Sequence, residues 1–315
     1  MSTEPEQMST DDHDPAEHPI HVSMAVDAGF EMPLAVALTS MAEAHADVAC
    51  SVSVLCSGVS QEDLRRIEHD VAGRLDLQWL TVDDQRLTGA HHTVGLSPAA
   101  LFRILLPEML PSSMHRTIYL DADTLVRAPL TELWTTDLGE DVLGAVRDAG
   151  SPFAAGPAGT DWRGLGLDPD LPYFNSGMMV MPLDRWRRDG LTERTLHVLR
   201  TTVSRWGDQD ALNAVAQLRW AELPRRWNLQ TADADARSLS WALWRDDVAT
   251  AVADPAIVHY TEDNKPWRGR LDHPFAREWF EQLSRTSWAD WQPGKPPLRR
   301  IVDRVRRAGR VLTHG

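Results

Sequence analysis

The chain has 315 residues, 43% hydrophobic and 25% charged, with a net charge of −14, enough for one large or two ordinary globular domains. So acidic a balance argues against nucleic acid as a partner. With no apolar run of 18 residues, no membrane-spanning helix is expected.

Residues 1–18 carry Glu4, Glu6, Asp11, Asp12, Asp14 and Glu17 but no Lys or Arg. They are expected to be disordered, and they lack the basic-then-apolar order of a secretory signal. Ile20 to Val26 reads as a strand ended by Asp27-Ala28-Gly29, and Met32 to His45 as a helix rich in Ala, Leu and Met. Cys50 to Cys56 alternates as a second strand. Its two cysteines then lie roughly 20 Å apart, too far to bridge, and the chain reads as cytoplasmic and free of disulfides. Ser60 caps a helix with acids in its first turn, and Leu75 to Val82 is a third strand. Ala99 to Leu106 is predicted helical and stopped by Pro107. Thr117 to Leu120 is a strand that leads into Asp121-Ala122-Asp123.

Residues two apart on a strand share a face, so Asp121 and Asp123 can aim at one point. Two close carboxylates repel unless a cation or proton lies between them, and oxygen ligands of this kind suit Mg²⁺ or Mn²⁺ beside a phosphate. A polar strand end that opens a turn would look the same. Strands interleaved with helices predict an α/β fold, a mixed, mainly parallel sheet flanked by helices. Ligands bind such sheets at the carboxyl ends of the strands, where both Asp27 and the Asp121/Asp123 pair fall.

Farther on, Val142 to Val146 reads as a strand, 147–171 as a long Gly/Pro-rich binding loop, and Tyr173 to Met181 as another strand. Helices are expected at 183–188, 191–206 and 208–218, and a short strand at Ile257 to Tyr260. Between residues 295 and 310 seven Lys and Arg stand against one Asp, with Ile301, Val302, Val305 and Val311 as a thin apolar stripe. That pattern fits peripheral contact with an anionic membrane surface and equally a solvated terminal helix. The domain limits expected from the sequence are 1–18, 19–285 and 286–315.

Four segments together resemble the family 8 glycosyltransferases, the retaining group that includes lipooligosaccharide galactosyltransferases and glycogenin. They are Tyr119-Leu120-Asp121-Ala122-Asp123, Tyr173-Phe174-Asn175-Ser176-Gly177, Asp208-Gln209-Asp210-Ala211-Leu212-Asn213, and Ile257-Val258-His259-Tyr260 with Lys265-Pro266-Trp267. The resemblance covers roughly residues 20–285. It implies a GT-A type nucleotide-diphospho-sugar transferase fold and a UDP-glucose or UDP-galactose donor. Asp121, Asp123 and His259 would hold Mn²⁺, or Mg²⁺ in its place, with Ala122 lining the same site. Lys265 would offset phosphate charge, Ala25 and Asp27 would meet uracil and ribose, and Arg103 would reach the diphosphate. Asn175, Asp208 and Gln209 would line the donor sugar, the last two as the catalytic pair. A neutral amide is a poor nucleophile, so Gln209 is expected to orient and stabilise while the acceptor attacks from the face that UDP leaves. The family commonly has Gly where this chain has Glu262, and a carboxylate beside a diphosphate is unfavourable.

Two alternatives stay open at this level. One is a haloacid dehalogenase-like phosphatase using Asp121 and Asp123, with Asp246-Asp247 as the later acidic motif. The other is a non-enzymatic nucleotide-sugar-binding protein. The acceptor, whether a saccharide, a lipid-linked sugar, a protein or a small molecule, is not written in these motifs. Residues 147–171 and the stretch holding Trp241 and Trp244 are the segments expected to meet it.

Overall fold

The computed structural model describes residues 19–91, 97–157, 160–261, 263–269 and 271–292. The acidic segment 1–18, Glu262 and the basic residues from 295 onward lie outside that set.

The first half follows the predicted alternation closely. Strand β1 (Ile20–Asp27) is followed by helix α1 (Glu31–Ala44), β2 (Cys50–Ser57), α2 (Gln61–Val71) and β3 (Asp76–Thr81). Both cysteines are buried and free on β2. Ser60 caps α2 by accepting from the Asp63 N–H at 3.1 Å. One expectation fails next. Residues 98–105 form a 3-10 helix that runs directly into α3 (Leu106–Met109), so Pro107 does not stop it. Proline sits there in a first turn, where its missing N–H would have had no intrahelical partner.

Strand β4 (Arg116–Asp121) and the short β5 (Thr124–Val126) flank the Asp121-Ala122-Asp123 corner. Then come α4 (Thr131–Trp134), β6 (Leu143–Arg147), β7 (Phe174–Pro182), α5 (Leu183–Arg188), α6 (Leu191–Thr201) and α7 (Asp208–Ala216). The predicted helices at 191–206 and 208–218 therefore end early, α7 at Gln217 with its φ of 50°. The chain closes with β8 (Trp220–Glu222), β9 (Leu229–Gln230), α8 (Leu239–Leu243), α9 (Arg245–Ala253), β10 (Ile257–His259) and α10 (Ala276–Leu283).

The seven-stranded sheet has the order β3-β2-β1-β4-β7-β6-β8, antiparallel only where β7 meets β4 and β6. The chain steps from β1 outward to β3 and returns on the other side of β1 with β4, so the strand order reverses between β1 and β4. In α/β sheets that reversal opens a crevice at the carboxyl ends of the strands.

Each face of the sheet is buried. Val22, Met24 and Val26 pack with Leu34, Leu38 and Met41 of α1, whereas Ala25, Leu55 and Tyr119 pack with Phe102, Leu196 and Leu212. A second sheet, β5-β10-β9, sits over a third core containing Val36, Leu125, Tyr260 and Trp279. Past the boundary expected at residue 285, Ser287 bonds Asp70 at 2.5 Å, and Trp288 lies 3.9 Å beneath the Arg66 guanidinium. Among the described residues no helix is long and apolar enough to cross a membrane.

Candidate functional site

The crevice between β1 and β4 gathers carboxylates from one sheet and an imidazole from the other. The antiparallel pairing of β10 with β5 sets His259 opposite Thr124, and the Tyr260 N–H donates to the Asp123 carbonyl at 3.0 Å. His259 is thereby carried to the Asp121/Asp123 corner from 136 residues away. Ala122 turns the other way, into the core.

Each carboxylate has one oxygen held by protein donors and the other left facing the imidazole. Asp121 Oδ1 accepts from the Tyr119 hydroxyl at 2.7 Å and pairs with Arg103 at 2.9 Å. Asp123 Oδ2 is bound by the Lys265 ammonium. The opposite oxygens, Asp121 Oδ2 and Asp123 Oδ1, lie 3.7 and 3.2 Å from His259 Nε2. Asp123 Oδ1 is buried without a hydrogen-bond donor, a costly state for a carboxylate oxygen. Burial alone would raise the Asp123 pKa, but the Lys265 ammonium, the largest opposing influence, holds the carboxyl well below its usual range. One ligand atom from each of Asp121, Asp123 and His259 falls within 4.8 Å of the others. A Cβ on Gly177 would come 2.1 Å from His259 Cε1 and 2.8 Å from Asp121 Oδ2, so glycine there keeps the space clear. Two oxygens and an imidazole nitrogen suit a divalent cation such as Mn²⁺. The residues fit the group.

Beside this corner lies a network of amides. Where β6 pairs with β7 the register jumps from Ala145–Met179 to Val146–Asn175, which takes residues 176–178 out of that ladder. Such irregularities re-aim side chains next to active sites. Gln209, in the first turn of α7, accepts from the Ser176 N–H and from Asn175 Nδ2, each at 3.1 Å. Its own Nε2 donates to Asp148 Oδ2 at 3.1 Å. Asn175 also donates to that oxygen, at 3.2 Å, while Asp148 Oδ1 closes a turn on the Gly150 and Ser151 N–H groups. Burial pushes the Asp148 carboxyl up, and these four donors offset part of the rise.

Asp208 is buried between the Ser176 hydroxyl and the Arg103 guanidinium, 3.3 and 3.2 Å away. Burial carries it to about 6, with Arg103 opposing. The fork of Arg103 is spent on protein groups: Asp121, Asp208, the Ser176 carbonyl and the Ala100 carbonyl. At the β1 end, Asp27 accepts from the Ser97 hydroxyl at 2.5 Å. It borders a cavity of about 520 Å³ that Leu87, Pro98, Leu101 and Phe102 also line. Ala25 sits two residues back, in register with Asp121 on the adjacent strand.

The candidates from the sequence thus lie in or beside one crevice, except that Ala122 faces the core instead of lining the site, and Asp246 and Asp247 stand apart in the first turn of α9. Sequence reasoning missed Asp148, Ser176, Tyr119 and Asn228. Asp148 carried only a turn signal, in Asp148-Ala149-Gly150-Ser151, and Asn228 carried none. The 147–171 loop and the Trp segment do pack together. Trp244 lies 6.2 Å from Phe153 with Arg147 over both rings, and Ser240 bonds the Ala149 carbonyl at 2.9 Å.

The family model described as Glycosyl transferase family 8 matches residues 21–270. General stress protein A of Bacillus subtilis is 30% identical over 242 residues, covering 75% of this chain and 82% of that protein. The lipopolysaccharide 1,2-glucosyltransferase of Escherichia coli is 24% identical over 87% of this chain and 80% of its own length. A crystal structure of the galactosyltransferase LgtC with donor and acceptor sugar analogues superposes with a TM-score of 0.75 at 26% identity, covering 89% of this chain and 99% of that one.

Proposed function

Since the chain belongs to glycosyl transferase family 8 and is a hexosyltransferase of the GT-A fold, we propose that it moves glucose or galactose from a UDP-sugar to a saccharide acceptor with retention, using Mn²⁺ or Mg²⁺. The observation that carries this reading is the pair of free carboxylate oxygens meeting His259 Nε2 at the switch point of the sheet. Asp121, Asp123 and His259 would hold the cation, which supplies positive charge against the diphosphate as the bond from C1 to oxygen breaks. Asp27 and its cavity would take the nucleobase and ribose, an assignment supported by their place beside Asp121 on adjacent parallel strands.

The chain's own groups do the rest. Lys265, now on Asp123 Oδ2 and the Tyr260 carbonyl, can shift toward a departing phosphate. Arg103 braces Asp121 and Asp208 and reaches the diphosphate only by giving up one of those bonds. Gln209 has its oxygen engaged by two donors, which supports a positioning role over attack. Asp208 and Asn175 frame the same face, where a negative or polar oxygen stabilises positive charge growing on the sugar ring. The acceptor would enter over the Phe153–Trp244 surface beside Asp148, since aromatic rings suit the apolar faces of sugars. The lipopolysaccharide transferases among the relatives support a saccharide, including a lipid-linked one, as that acceptor.

The test is release of UDP from UDP-glucose and UDP-galactose with and without Mn²⁺. Metal-dependent release that falls at least tenfold in Asp123→Ala is expected. Release that is indifferent to both the metal and the substitution would overturn the metal assignment.

A further inference from the structure

One fully buried side chain joins the carboxylate–imidazole corner to the amide network: Asn228, which ends the 3-10 turn at Arg225–Asn228 and precedes β9. We propose that Asn228 is a positioning residue that fixes the tautomer of His259, and so couples cation binding to the sugar-facing amides. The inference rests on reading Asp121, Asp123 and His259 as the cation ligands.

The orientation of each amide follows from backbone groups that have a single possible role. The Gly177 N–H can only donate, so the Asn175 atom 3.0 Å from it is the oxygen. The Asn228 atom 3.0 Å from that same oxygen must then be its NH₂. This leaves the Asn228 oxygen facing His259 Nδ1 at 2.9 Å, and an acceptor there requires Nδ1 to carry the proton. In the neutral ring, the form that binds a cation, His259 Nε2 is then left with a bare lone pair, aimed at the free oxygens of Asp123 and Asp121. Lone pairs from three sides make a cation site. In the other tautomer Nε2–H would donate to Asp123 Oδ1 and close it. A histidine ligand whose second nitrogen is held this way binds metal better, and losing such a partner typically costs about 10–100-fold in affinity.

The chain of bonds continues beyond His259. Asn175, turned by Asn228 and Gly177, directs its own NH₂ to Asp148 and Gln209. Asn228 therefore orients groups on both sides of the crevice.

Two variants separate these roles. Asn228→Ala removes both bonds. Asn228→Asp keeps an acceptor for His259 Nδ1–H but sets an oxygen against Asn175 Oδ1. ¹⁵N-histidine NMR of the metal-free protein should show His259 protonated on Nδ1 in the wild type and in Asn228→Asp, and shifted toward Nε2 in Asn228→Ala. Mn²⁺ titrations followed by EPR should give about 10–100-fold weaker binding for Asn228→Ala and near wild-type binding for Asn228→Asp. The affinity of Asn228→Asp for UDP-glucose or UDP-galactose, but not for UDP, should fall. An Nε2-protonated His259 in the wild type, or wild-type Mn²⁺ affinity in folded Asn228→Ala, would overturn the proposal. If Asn228→Ala does not fold, the wild-type tautomer and Asn228→Asp still decide it. A wild-type protein that binds no Mn²⁺ would instead overturn the ligand set, with the tautomer readout still testing Asn228.

Discussion

Gly177→Ala adds one methyl group at the point where the two carboxylates and the imidazole converge. Gly177 lies on β7 without a left-handed φ, so the backbone accepts alanine and the effect is confined to the side chains it meets. The new carbon would stand 2.1 Å from His259 Cε1, 2.7 Å from Nδ1 and 2.8 Å from Asp121 Oδ2. Carbon contacts are comfortable at about 3.5–4.0 Å, so the imidazole has to retreat by about 1.4 Å or more. Neither neighbour is the loose end of a flexible chain. His259 is pinned by Asn228, and Asp121 by Tyr119 and Arg103. Metal ligands tolerate about ±0.2 Å, so a shift of this size removes the His259 ligand, and Mn²⁺ binding should weaken by about 100-fold or more. The fold should survive, since overpacking a core costs about 1–3 kcal/mol, a fall in Tm of a few degrees for a domain of this size. Mn²⁺ EPR titration paired with thermal unfolding reads both quantities. A folded Gly177→Ala that binds Mn²⁺ as the wild type does would refute the convergence of these ligands on the space beside Gly177.

Three further outcomes follow from other parts of the molecule. Asp208 has its pKa raised to about 6 by burial, against 3.8 when unperturbed. The folded protein therefore holds this proton more tightly than the unfolded one, and the associated stability is lost as pH rises between those values. Asp208→Asn should remove this component, so denaturation at several pH values should show the wild-type-minus-variant stability falling from pH 4 to 6. Arg225 and Asp233 form a buried pair at 3.0 Å; Arg225→Met alone should cost about 3–5 kcal/mol in urea denaturation, and adding Asp233→Asn, which removes the charge but keeps an acceptor for the Gln230 N–H, should recover much of it. Glu262 stands where the family commonly has Gly, and a carboxylate beside a diphosphate is unfavourable, so Glu262→Gly is expected to lower the KM for the UDP-sugar; an unchanged KM would refute that expectation.

What the sequence reveals depends on how long each structural element is. Strands of six to eight residues such as β1, β2 and β4 show their period, so the parallel half of the sheet is readable from residue types alone, whereas Asp121 and Asp123 meet not on one strand face, as their spacing predicts, but because Asp123 lies in the turn between β4 and β5. The second sheet is built from strands of two or three residues, too short to have a visible period. Yet that sheet delivers His259, and the turn before it delivers Asn228. His259 and Lys265 were therefore reached only through family resemblance, and Asn228 not at all, because its partners are set by pairings 31 and 53 residues distant. Asp148 was hidden for a different reason. Its Oδ1 makes an ordinary turn with the Gly150 and Ser151 N–H groups, and that local bond is all that Asp148-Ala149-Gly150-Ser151 reveals. Its Oδ2 holds Gln209 and Asn175, contacts that exist only once β7 and α7 have packed. The turn fixes the carboxylate in place, and a fixed carboxylate is what the two amides need, so the turn and the site are two uses of one side chain.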